Sequence, residues 1–258
     1  MALSNVWFTL AAVLVVIASP AKANSNDVFN FALNLECLEG QFYSYAAYAE
    51  FARDEVAHLA FLRRTAGAAA VPCPQINIGS SFDTIIQAAL ESRAGNSVFS
   101  PYDNDVNFLL SAFLFEDLGV TAFAGAIPVL TGGDAQEAAA GILGVEAYHG
   151  GLLRQWLFEN GDLVVQPYGI QVVSFVQALS DLRGKVGGGK DQGITIPAAV
   201  ASYYGPNILG FFQANIVPTD SDAKIFARTP KEVLAIAYGG DATKPGAFFP
   251  SGVNGNIK

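Results

Sequence analysis

Residues 27–65 are largely apolar and rich in Ala, Leu, Phe and Tyr, with no proline and Gly40 as the only glycine. That pattern predicts helix. Residues 66–80 hold two prolines and two glycines and predict a connection. A shorter helix is expected at 82–92, then a Gly/Asn/Ser/Pro loop through Tyr102. Residues 105–130 predict a long helix, stopped by Thr131-Gly132-Gly133. Asp134 and Glu137 have the spacing of a capping box, opening a helix that runs to about Glu159. Residues 170–183 predict a fifth bundle-length helix closed by Gly184. The chain from Lys190 is Pro/Gly-rich and predicts mostly irregular structure. One short helix is signalled there by Thr229 as N-cap, Pro230, Glu232 and the stop at Gly239-Gly240.

Elements of this length and order predict an all-α four-helix bundle with an extra helix and a mostly irregular C-terminal tail. The expected organisation is a leader at 1–23, a helical bundle at 24–186 and an extension at 187–258.

Within that pattern the only two histidines, His58 and His149, each stand three residues after a glutamate, Glu55 and Glu146. Residues three apart share a helical face and can point at one ion. Two such pairs plus one glutamate from each of two further helices form the dimetal carboxylate site of helical bundles. Glu36 and Glu116 are the available upstream glutamates. The candidate ligands are therefore Glu36, Glu55, His58, Glu116, Glu146 and His149. Oxygen and imidazole donors suit two iron or manganese ions.

The 116–146 half follows from geometry, because a hairpin through 131–134 returns both glutamates to nearly the same height. A weak internal echo aligns Leu35-Glu36-Cys37-Leu38 with Phe115-Glu116-Asp117-Leu118 and places an aromatic, Tyr43 or Phe123, seven residues after each glutamate. It favours Glu36 as ligand over Glu39, although the two share a face. Tyr43 reads as a core aromatic, with electron transfer as the sharper alternative.

The first half is harder. As one unbroken helix, Glu36 and Glu55 would stand roughly 28 Å apart at 1.5 Å per residue. A hairpin turning near 44–48 would restore proximity, with arms of about two turns, yet residues 41–53 contain no Gly, Pro or Asn to make it.

Charge and cysteines bound the setting. The net charge is −9 and no basic stripe occurs, which argues against a nucleic-acid partner. Residues 1–23 have an apolar run, Val6 to Ala18, and an Ala21-Lys22-Ala23 frame, so they predict a secretory leader cleaved after Ala23. Export implies an extracellular or other secretory-pathway location, with no membrane association once the leader is removed. Cys37 and Cys73 are then either a pair or two separate buried thiols.

The stretch Asp27-Val28-Phe29-Asn30-Phe31-Ala32-Leu33-Asn34-Leu35-Glu36 resembles the opening of the plant desiccation-related proteins, a ferritin-like family. Phe51 to Leu59 resembles its second helix, and Gly144-Val145-Glu146 fits its fourth. The tail motifs Ala227-Arg228-Thr229-Pro230-Lys231-Glu232-Val233-Leu234 and Pro245-Gly246-Ala247-Phe248-Phe249-Pro250 resemble the family most specifically. The resemblance implies a ferritin-like bundle, a secretory leader and a link to desiccation or stress. The family has a longer connection between the segments matching Tyr43 and Phe51, which this chain lacks.

Two functions are expected from these observations. One is metal oxidation or oxygen/peroxide chemistry at a dinuclear site; the other is a non-enzymatic secreted stress protein with a degenerate site, which the shortened segment favours. Metal ions are the expected partners, and a homo-oligomer stays open.

Overall fold

The computed structural model describes residues 24–45, 49–196 and 214–258. The expected leader lies outside the described residues. Among them are seven α-helices and one two-stranded sheet, so the all-α expectation holds. The helices are α1 (Ser25–Tyr45), α2 (Ala49–Ala66), α3 (Ser80–Leu90), α4 (Asp105–Ala126), α5 (Gly133–Glu159), α6 (Val172–Val186) and α7 (Pro230–Ala237). Strands β1 (Val164–Val165) and β2 (Ile170–Gln171) pair antiparallel between α5 and α6. The predicted helix at 170–183 therefore starts two residues later, after β2, and runs on to Val186.

The bundle is made of two helical hairpins. Helix α1 packs along α2, and α4 packs along α5. The stretch 27–65 is thus two helices, and residues 46–48 between them, where the sequence places a hairpin turn, lie outside the described residues. Helix α4 is apolar enough to cross a membrane by length and composition (mean hydropathy 1.5 over Asp105–Val129), yet 78% of it is buried. Its apolarity belongs to a central core helix, hydrophobic all round.

Helix α5 opens differently from the expected capping box. Gly132, at φ 94°, turns the chain so that helical backbone starts at Gly133, and no side chain caps it. Asp134 instead lies inside the first turn, where its charge meets the positive end of the helix. At α7 the capping box forms: the Thr229 hydroxyl accepts from the Glu232 amide, and Glu232 accepts from the Thr229 amide.

The core divides into two apolar clusters. One contains Val28, Phe29, Leu33, Leu62, Phe123 and Ile142. The other, larger one includes Leu38, Phe42, Phe51, Phe115, Leu153 and Phe175. Residues 233–253 supply Val233, Leu234, Ile236, Phe248 and Phe249 to that second cluster, so the Pro/Gly-rich tail is part of the core.

A buried ionic lattice fastens the tail to α4. Asp117 Oδ2 accepts from Arg154 and Arg183, each at 2.7 Å. Arg183 and Arg228 both donate to Asp191 at 2.9 Å. Arg228 also donates to the Thr121 hydroxyl at 2.7 Å, and its amide donates to the Thr121 carbonyl. A Cβ at Gly125 would lie 1.9 Å from the Arg228 carbonyl oxygen, so this approach requires glycine.

Cys37 and Cys73 form a disulfide, resolving that alternative in favour of pairing. It ties α1 to the connection after α2 across 36 residues. Loop-closure entropy for such a span gives about 4 kcal/mol of stabilisation. Cys73→Ser is expected to lower unfolding free energy by that order in a denaturant titration, and reductant should have no further effect on the variant. Asp117→Ala leaves two buried guanidinium groups short of their shared partner. It should cost about 3–5 kcal/mol in the same titration.

Candidate metal centre

The two Glu-x-x-His pairs lie on facing helices. Glu55 and His58 come from α2, Glu146 and His149 from α5, Glu36 from α1 and Glu116 from α4. All four glutamates are fully buried, and the histidines are 8% and 6% exposed. They occupy the layer between the two apolar clusters. The structure brings all six sequence candidates together.

His58 Nδ1 stands 3.4 Å from Glu36 Oε2, 3.1 Å from Glu55 Oε2 and 3.6 Å from Glu146 Oε1. His149 Nδ1 stands 3.1 Å from Glu55 Oε1 and 3.4 Å from Glu116 Oε2. Two groups of ligand atoms result: Glu36, Glu55, His58 and Glu146, and then Glu55, Glu116 and His149. Within each, the atoms lie within 4.8 Å of one another, and Glu55 belongs to both.

Many of these atoms are buried without a hydrogen-bond partner. They are both oxygens of Glu36 and Glu146, one oxygen each of Glu55 and Glu116, and Nδ1 of His149. His149 Nδ1 is close to its carboxylates but lacks hydrogen-bond direction toward them. Buried polar atoms left unpaired are costly, and a cation satisfies several at once. The donor set therefore fits metal ions that take oxygen and imidazole nitrogen.

Charge within this layer is carried chiefly by Glu55, held ionised, and His149, held protonated. Burial pushes Glu36 and Glu146 well above the usual carboxylate range, and neighbouring Glu55 adds to the rise. Glu116 is pushed up to about 7, mainly by burial. Burial works against ionised Glu55 too, but the adjacent His149 and His58 bring it down to about 2. Burial opposes the charge of His149, while Glu116 and Glu55 raise it to about 10.

Several contributors escaped the sequence reading. Asp54 Oδ2 lies 3.3 Å from His149 Nε2 and so turns Nδ1 toward the glutamates. The Phe51 ring stacks on His149 at 3.9 Å and 14°. Gly119 leaves the space occupied by Glu146, since a Cβ there would lie 2.2 Å from Glu146 Oε2. Tyr43 is a fully buried core aromatic, as favoured, but its hydroxyl also donates to Glu116. Glu39 belongs to neither ligand group, in keeping with the preference for Glu36. A glycine or an aspartate beside a ligand carries no distinctive spacing, so no sequence signal marks either one.

The ferritin-like domain family matches residues 44–159, a span that starts after Glu36. The ferritin-like catalase Nec2 of Nesocodon mauritianus is 29% identical, over 90% of this chain and 84% of its own length. The desiccation-related protein PCC13-62 of Craterostigma plantagineum is 27% identical, over 89% of this chain and 82% of its own length. No solved structure matches the chain.

The electrostatics predict how the metal-free protein responds to pH. A carboxyl whose folded pKa is raised binds more protons folded than unfolded, so stability falls as pH rises from 4.5 through about 7 for Glu116. His149, raised from 6.5 to about 10, holds its proton more tightly when folded and loses that contribution over the same direction. Glu55 is ionised in both states above about 4.5, so it adds no slope there. The melting temperature of chelator-treated protein should fall steadily between mildly acidic and mildly alkaline pH. Added Mn(II) should reverse that trend, because binding requires the deprotonated ligands.

Proposed function

We propose that this chain, similar over about nine-tenths of its length to a ferritin-like catalase and a desiccation-related protein, is a ferritin-like protein of that kind, holds a pair of iron or manganese ions and acts on peroxide or oxygen. The observation that carries this reading is the set of buried, partnerless oxygen and nitrogen atoms converging from four helices. Glu36, Glu55, His58 and Glu146 would hold one ion, and Glu55, Glu116 and His149 the other. When bound, such a pair supplies two-electron redox chemistry. The relative named as a catalase makes hydrogen peroxide the first substrate to try.

The chain's own residues have definite tasks in this reading. Asp54 and the Phe51 ring fix the His149 imidazole before an ion arrives. Tyr43 holds Glu116 by its hydroxyl and so restricts the rotamer of that ligand. The apolar clusters above and below exclude bulk water and keep the carboxylates dependent on cations. Four ionised glutamates carry the charge that balances two divalent ions.

The alternative of a degenerate site rested on the short Glu36–Glu55 spacing. The α1–α2 hairpin answers that objection, since His58 lies within 3.4 Å of both carboxylates. The disulfide supports an oxidising compartment, and with it the proposed export of the chain.

Elemental analysis of protein refolded with Fe(II) or Mn(II) should find close to two ions per chain. His149→Ala should lose at least one of them and lower the rate of peroxide decay by on the order of 100-fold or more. Absence of bound metal under every loading condition would sink the proposal.

A further inference from the structure

A fifth glutamate lies against the centre without belonging to either ligand group. Glu39 is one turn beyond Glu36 on α1 and is 3% exposed. Its Oε2 is buried with no hydrogen-bond partner. Its Oε1 lies 3.4 Å from the point where a Cβ would stand on Gly119, and Glu146 Oε2 lies 2.2 Å from that same point. Glu146 Oε2 fills the place that a Gly119 side chain would take, and Glu39 reaches the edge of that place, so the two carboxylates are neighbours against α4. Burial raises Glu39 well above the carboxylate range, with Glu55, Glu36 and Glu116 adding to the rise.

An unpaired buried carboxylate is an expensive residue to keep, and a neutral isostere would be cheaper. Nothing else among its described contacts uses it. We propose that Glu39 is a reserve ligand of the metal pair: a seventh protein donor, beside Glu146, that favours ions of charge greater than two. This inference rests on the metal-centre reading above. Four glutamates already balance two divalent ions, so a fifth negative group is unnecessary for them. A trivalent ion brings additional positive charge into a region of low dielectric, where a nearby carboxylate has its greatest effect. Glu39 therefore sets which oxidation state the pocket prefers, while the other six residues set where the ions sit.

The test compares a divalent ion with a redox-inert trivalent one, Mn(II) against Ga(III) supplied as citrate, on the full mature chain. Competition titrations read the affinity of each ion for the wild type, Glu39→Gln and Glu39→Asp. Glu39→Gln should leave Mn(II) affinity within about threefold and weaken Ga(III) by on the order of tenfold or more. Glu39→Asp retains the charge and should recover part of the Ga(III) affinity. Equal weakening of both ions, or no change in either, overturns the selective role and leaves the metal centre standing. A wild type that binds neither ion overturns both readings. Melting temperatures of the metal-free variants show whether each is folded, and Glu39→Gln should melt no lower than the wild type.

Discussion

The constraint on which the structure depends is the burial of five glutamates in one layer of a helical bundle. Each carboxylate taken from water loses solvation worth several kcal/mol, which a low-dielectric core cannot return by packing. Among the described residues, the basic side chains beside these carboxylates are the imidazoles of His58 and His149. The three buried arginines cannot help, because Asp117, Asp191 and main-chain carbonyls already engage them. The surrounding fold compensates by being unusually apolar elsewhere. Aromatic rings interlock within the larger cluster, with Phe42 in contact with Tyr43, Phe82, Phe108 and Phe115. The two apolar clusters act as jaws, and the polar layer is what they hold.

The neighbouring residues Glu116 and Asp117 show how one helix serves both demands. Glu116 faces inward, toward His149 and Tyr43. Asp117, the next residue on α4, is turned about 100° round the helix and organises Arg154 and Arg183. A displacement of α4 would disturb both arrangements together. The ionic lattice therefore fixes the position of a ligand that it never touches.

Much of this was legible in the sequence, and the reasons are physical. The Glu-x-x-His pairs, the α4–α5 hairpin and the Thr229 cap are local signals, in which spacing alone determines which groups meet. The division of 27–65 into α1 and α2 was not legible, because residues 41–53 contain no Gly, Pro or Asn to signal a break, while the packing of α1 on α2 is a tertiary contact. The Cys37–Cys73 bond was open, since two thiols in a chain do not announce their distance. The tail misled most. Its prolines and glycines predicted irregular backbone correctly around α7, but irregular backbone is no obstacle to burial when arginines and a close glycine contact satisfy it. Asp54, Gly119 and the hydroxyl of Tyr43 act through three-dimensional proximity and leave no periodic trace.

The docking of residues 228–253 on the bundle also sets an order of events during synthesis. Both hairpins precede those residues in the chain, so they emerge first, with Asp191 already made but Arg228 still missing. Phe248, which packs on Phe82 of α3 and Phe115 of α4, and Phe249, which packs on Tyr238, follow every helix of the bundle in the chain. A growing chain thus presents its polar layer between helices whose apolar cover is incomplete. Residues 228–253 then close the interior over the two hairpins already made.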